Sequence, residues 1–517
     1  RTREVTGAGD RVEGRHAHGV DPYIDNYKIF ANRAVGGFDA MSEGAQRILA
    51  NTVYRAVADL GSKFASLALY VVMARELGET EFGVFTLGLA VATLVTALGG
   101  FGQDAILVRE VARDHRRIDH YFANTLTLKL VLALPALVLA LAAASVGGVA
   151  RDTRTVIALL GIAIVAELLI TTCFAVYQAY ERLVYLPIVL ITQRIVIAGS
   201  GIAALLLGAD VVVVSAVYLG GALLALVLAL VLVFRRVVRP RLEVNVGFWW
   251  PLMRMAAPVG LAGVFGTILF RVDTAILAWF ETPDVVGNYG AAYRLFEAAF
   301  FLSWAVGTAV YPVFSRLSPT SDPPVRVVFD GALKLVLALM LPLAVGGVIL
   351  GRPLVELIYG ADYDRADEAL LILSPAIAFH GVAHVAALLL VSQNRQVVLA
   401  VVQGVVAALN IALNFWLIPW LSLEGAALSA LVSQVLLTVL FLGYATRSAG
   451  GIDPGRVLAG PLLASVLSAI AMVALRDDLL PAVAAGGAVY VVALALFERT
   501  AYPEDAKAIR DFVRRGP

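Results

Sequence analysis

The chain has 517 residues, of which 60% are hydrophobic and only 15% charged, with a mean hydropathy of +0.84. A water-soluble chain carries about a quarter charged residues, so an apolar excess of this size has to face lipid. Forty basic residues balanced by 39 acidic ones leave a formal charge of +1, which argues against a nucleic-acid partner, and the single cysteine, Cys173, excludes a disulfide framework and any Cys-rich metal site.

Residues 1–40 are polar, Gly- and charge-rich and lack the apolar core of a secretory signal. They are expected to be a disordered tail, with Met41 as the natural start. Beyond them, apolar runs long enough to cross a bilayer, about 20 residues each, recur fourteen times. They lie near 49–73, 82–102, 122–146, 153–178, 183–207, 210–234, 250–280, 285–312, 329–350, 367–391, 396–419, 423–445, 456–475 and 479–497. The fold class that follows is all-α integral membrane. The stretches between runs, such as Val108–Tyr121 and Glu356–Glu368, are too short to bury a core, which excludes a catalytic domain outside the membrane. No GxxxxGK[ST] loop and no GxSxG elbow is present.

The organisation expected is a tail at 1–40, a first bundle at 41–240, a second at 241–450, two extra helices at 451–500 and a tail at 501–517. The basic connector FRRVVRPRLEVNVGFWW divides the bundles. With the N-terminus inside, fifteen loop arginines fall on the inner side and six on the outer. The positive-inside rule then puts both termini in the cytoplasm.

Polar residues inside apolar runs mark functional positions, because a charge at mid-bilayer costs about 2.5–3.5 kcal/mol. In the first run Arg55, Asp59, Ser62, Lys63, Ser66 and Tyr70 share one helical face. That face lines a cavity or neutralises itself as a ladder. The fourth run carries Glu167 and the fifth Arg194, which is either a cavity cation or the partner of Glu167. Arg271 and Asp273 are two residues apart, on nearly opposite helix faces, so each needs a partner elsewhere. In the eighth run Tyr289, Tyr293, Glu297 and Trp304 form a stripe and Arg294 reaches Glu297 at i+3. Rings beside arginines suit a sugar phosphate; a salt-bridge network that only holds the bundle is the other reading. His380 and His384 are spaced like two metal ligands but no third ligand is near, so no metal and no cofactor is expected. Gln403, Asn410 and Asn414 read as glue between helices.

Several segments in order, AREL-GETEFGVFTLG, FGQDAILVREVAR, FRVDTAILAWF, VGNYGAAYRLFEA, YPVFSRL and ALNIALNFWLIPWLSLEGAALSALVSQ, resemble the polysaccharide flippases of the multidrug/oligosaccharidyl-lipid/polysaccharide exporter superfamily, Wzx-type members, from Met41 to the last helix. The resemblance implies a MATE-like fold of two bundles around a cationic central cavity, with two added C-terminal helices. It implies a transporter and not an enzyme, which flips a polyprenyl-diphosphate-linked glycan from the cytoplasmic to the outer leaflet of the plasma membrane by alternating access, driven by an ion gradient or the membrane potential. On this reading Arg55, Lys63, Arg194, Arg271 and Arg294, with Tyr289 and Tyr293, hold the substrate, and Asp59, Glu167 or Glu297 couples an ion. A monomer working beside glycosyltransferases or a polymerase is expected. A drug or cation antiporter and a non-transporting scaffold of a synthase complex are the alternatives left open.

Overall fold

The computed structural model describes the backbone of residues 43–316 and 324–502, and side chains from Gly61 onward apart from Lys63. Residues 1–40 and the tail from 503 lie outside these described residues, so the expectations for both tails do too. Residues from Ala56 onward form one compact unit. The described chain is helical: α1 (Glu43–Ala97), α2 (Gln103–Arg113), α3 (Ile118–Val146), α4 (Arg151–Ala179), α5 (Tyr185–Leu206), α6 (Val211–Leu232), α7 (Val246–Phe280), α8 (Pro283–Arg316), α9 (Val325–Tyr359), α10 (Ala366–Ser392), α11 (Gln396–Ala449), α12 (Pro454–Ala474) and α13 (Leu479–Ala501).

All but the short α2 are long and apolar enough to cross a membrane, twelve helices among the described residues. Two of them are broken. Gly78 takes φ 72° inside α1 and Ser422 takes φ 52° inside α11. Each break separates two of the apolar runs read from the sequence, so twelve helices carry fourteen runs. Glycine reaches the left-handed region without strain, whereas Ser422 is held there against its preference. The chain then folds back tightly, and a Cβ on Gly425 would press on the Leu417 carbonyl.

Helix is the only open structure a lipid-facing backbone can adopt, because it satisfies its own hydrogen bonds. The outward faces agree: Leu139, Val146 and Leu207 are exposed to the surroundings, and Trp279 and Trp420 at one end and Trp250 at the other stand out from the bundle as interfacial aromatics do. Helix starts are set locally. The Asp210 carboxylate accepts from Val213 N at 2.9 Å and Asp453 from Arg456 N at 3.1 Å, both capping otherwise orphan amides.

In the first half, α4 packs on α6, α3 and α2, and α5 on α6; in the second, α7 packs on α11, and α10 on α8, α9 and α11. The pair α12–α13 leans on α9. Direct packing between α2 or α3 and α7 is sparse beside that within each half. The connector between halves is strapped to the first half. Asn124 on α3 donates to Glu243 O at 2.9 Å and accepts from Asn245 N at 2.8 Å and from the Trp249 ring nitrogen at 3.1 Å.

Where the α1 break lies, the halves lock together. Tyr363 donates to Ala74 O at 2.9 Å, Arg75 donates to Ile358 O at 2.8 Å, and Asn288 bridges Glu79 and Arg365 N. The backbones touch here: a Cβ on Gly287 would fall on the Glu79 carbonyl, and one on Gly83 on the Pro283 carbonyl.

Candidate substrate cavity

The polar residues of α1, α5 and α6 converge on a small pocket lined by Ser66, Leu69, Tyr70, Arg194, Ile197, Ala198 and Tyr218. Ser66 and Tyr70 belong to the polar face of the first run. Arg55, Asp59 and Lys63, read from the same face, lie outside the described side chains. Arg194 stands 3.7 Å from Glu167 and donates to the Tyr218 hydroxyl at 3.3 Å. Glu167 also accepts from Gln193 Nε2 at 2.8 Å and from the Tyr218 hydroxyl at 3.2 Å. The pairing of Arg194 with Glu167 therefore exists, but the arginine still borders the pocket.

Tyr70 is the link to the second half. One side of its environment is the pocket with Arg194; its ring also lies under the Arg294 guanidinium, with Cζ 4.1 Å from the ring centre. Arg294 bonds Glu297 at 3.0 Å, and the other oxygen of Glu297 meets Arg271 at 2.8 Å. Side-chain exposures of 24% for Arg194, 20% for Arg271 and 22% for Glu297 leave these groups half-buried, and Arg294 is more buried still.

Asp273 is separate. It is buried, accepts from the Tyr289 hydroxyl and from Thr274 N at 2.7 Å, and so finds its partner away from Arg271 as the two-residue spacing requires. The two tyrosines expected to face a sugar do not line the pocket. Tyr289 is fully buried with its hydroxyl on Asp273, and Tyr293 is 4% exposed, its ring 5.8 Å from Arg271 Cζ. A helical stripe is broad enough to include both core and cavity positions, and these two fall on the core side. His380 stacks on Phe300 with ring centres 3.7 Å apart, and among the described residues no group of three or more metal-binding side chains occurs. Asn410 joins the halves of α11, donating to Ser433 Oγ at 2.9 Å.

Sequence reasoning missed a second charged cluster. Lys129 on α3 is fully buried, and its Nζ meets both Asp104 oxygens at 2.7 Å, Thr172 Oγ1 at 2.7 Å, and Thr171 Oγ1 and Leu168 O at 2.9 Å. It pins α2 to α3 and α4. A lone lysine in the apolar run LTLKLVLALPALVLA was the available signal. Tyr218 was not read as a pocket wall, since one tyrosine in an apolar helix looks like packing.

Two bundles of membrane-crossing helices, with ion-paired arginines inside the spans of both, are the frame of a membrane transporter. The chain belongs to the polysaccharide biosynthesis protein family, which matches residues 48–318, and residues 258–416 match the MatE family. A relative from Haloferax volcanii, "Probable low-salt glycan biosynthesis flippase Agl15", is 22% identical over 386 residues, 74% of this chain and 80% of the relative. From the same organism, "Probable flippase AglR" is 28% identical over 176 residues, 33% of this chain and 36% of the relative. Among solved structures, the lipid II flippase MurJ in an inward closed conformation superposes with a TM-score of 0.74 at 13% identity, covering 87% of this chain and 99% of its own. An inward-facing multidrug resistance MATE transporter superposes at 0.58 with 12% identity, covering 81% and 98%. These likenesses show the two-bundle fold of that superfamily.

Proposed function

We propose that this chain flips a lipid-linked glycan across the plasma membrane by alternating access of its two halves. The observation that carries the reading is the cation set: Arg194 from the first half shares the pocket with Tyr70, the Tyr70 ring lies under Arg294 from the second, and Arg271 joins Arg294 through Glu297, so we place all three on one cavity. Against these three cations stand Glu167 and Glu297, so the described cavity keeps a positive excess that suits a lipid diphosphate. Arginine forks grip phosphate oxygens in pairs. The glycan occupies the wet space and the polyprenyl tail stays in the bilayer. Arg55 and Lys63, cations that the sequence periodicity sets on one face with Ser66 and Tyr70, are proposed for the same role; Asp59, Glu167 and Glu297 are the carboxylates proposed for ion coupling. The names of the Haloferax relatives support a glycan substrate. Fifteen inner-loop arginines against six support cytoplasmic termini and outward flipping. An inside-negative potential then favours outward movement of the diphosphate by about 2.3 kcal/mol per charge per 100 mV. The chain works as a monomer and receives its substrate from glycosyltransferases of the same pathway.

The test is R294A and R271A in reconstituted vesicles with a fluorescent polyprenyl-diphosphate sugar. Losing one charged hydrogen-bond donor, about 1.5–3 kcal/mol, should slow flipping roughly ten- to a hundredfold while the protein still melts cooperatively. Folded variants that flip at the parental rate overturn the proposal.

A further inference from the structure

The two cavity carboxylates are held in different ways. Glu167 keeps two neutral donors, Gln193 Nε2 at 2.8 Å and the Tyr218 hydroxyl at 3.2 Å, whatever Arg194 does. Among the described residues Glu297 has only two hydrogen-bond and ion-pair partners, one for each oxygen: Arg271 Nη2 at 2.8 Å and Arg294 Nη1 at 3.0 Å. Those two arginines are also the ones offered to a substrate diphosphate. A carboxylate bridging two guanidinium groups on adjacent helices copies the charge and the oxygen spacing of a phosphate seated there.

We propose that Glu297 is a tethered stand-in for the substrate's phosphate, which the incoming diphosphate displaces from Arg271 and Arg294, Glu297 taking one proton from water as it leaves them. This rests on the reading that these arginines bind the diphosphate. Stripped of both partners, an ionised Glu297 would sit partly desolvated against a dianion. Among the described residues no other group compensates it. From α7, Asp273 is held by Tyr289 and Thr274 N and would only repel it, and on α8 Tyr293 is buried under Arg271. From α1, Tyr70 lies against the far side of Arg294, and from α10 His380 is stacked on Phe300, one turn along. As the neutral acid, Glu297 turns from competitor to donor and offers its proton to a phosphate oxygen. The covalent bonding of the substrate is untouched; only a proton moves from solvent to carboxylate. Glu167 keeps its neutral donors throughout and takes no part in the exchange. The device also selects: an uncharged headgroup cannot displace the carboxylate.

The probe is P1,P2-dimethyl diphosphate, whose two charges are constant between pH 5 and 8, added to the purified full-length chain in nanodiscs. Calorimetry in buffers of different ionisation enthalpy should count about one proton taken up per ligand at pH 8, and affinity should rise about tenfold per unit fall in pH. E297Q should remove both the proton and the slope and bind at least about tenfold tighter at pH 8, whereas E167Q keeps the slope. Wild-type binding that takes up no proton, or an E297Q protein that retains the slope, overturns the proposal. If E297Q does not fold, the wild-type proton count decides alone. Failure of the underlying reading looks different: R271A and R294A would then bind the probe as well as the parent.

Discussion

The buried cluster around Lys129 allows a prediction with a built-in asymmetry. Replacing Asp104 with Asn keeps the shape of the site but leaves the Lys129 ammonium, fully buried, with Thr171, Thr172 and the Leu168 carbonyl and no counter-charge. Breaking a buried pair this way costs about 3–5 kcal/mol. The upper limit is independent of geometry: releasing the proton of an ordinary lysine at pH 7 costs about 5 kcal/mol, so the site never loses more than that. Replacing Lys129 with Met is milder. Asp104 is 28% exposed and retains hydroxyl donors from Thr171 at 2.7 Å and Thr172 at 3.0 Å, so water and these two groups still serve the carboxylate. A cost near 1 kcal/mol is expected. The double variant should recover most of the D104N loss, since it carries no buried charge. Reversible unfolding in mixed micelles, read by the detachment of α2 and by the global transition, measures all three. The reasoning is refuted if K129M destabilises as much as D104N, or if the double variant is worse than D104N alone.

Two further outcomes follow from the contact between halves and from the charge pattern. In G287A the new methyl group meets the Glu79 carbonyl, so the locked end should be forced apart; a cysteine introduced as S66C should then react with an impermeant maleimide from that side, with little background because Cys173 is buried. Unchanged labelling would show that this end yields without opening. Reporters fused after Tyr502 and inserted between Gly360 and Arg365 should signal from opposite sides of the membrane, and signals from one side would contradict the assignment from loop arginines.

The fold was legible because lipid leaves few options. A bilayer demands about 20 apolar residues per crossing and a self-satisfied backbone, so hydropathy alone found every long helix, and the turns at Gly78 and Ser422 fall between the runs. Positions of charge were legible for the same reason. Arg194, Glu167, Arg271, Arg294 and Glu297 were each visible as anomalies in apolar surroundings, and all five are ion-paired, with Arg194 also lining the pocket. Which partner answers which charge was not legible. The i+3 pair Arg294–Glu297 is local and could be read, but the second arginine on Glu297 comes from α7 and the ring under Arg294 from α1, both set by how helices cross. Helical periodicity resolves a face to about a third of a turn, which is coarser than the boundary between core and cavity. Tyr289 and Tyr293 share a stripe with Glu297 and yet are buried, while Tyr218, alone in its apolar helix, forms a wall of the pocket. Lys129 shows the limit from the other direction. Its charge was as anomalous as that of Arg194, but its counter-ion, Asp104, lies on the short α2, a stretch whose polarity reads as solvated. A charge in an apolar run thus announces that a partner exists. Whether that partner belongs to the protein or to its substrate depends on packing, and Glu297, held among the described residues by arginines that a diphosphate would also claim, is where the two answers compete.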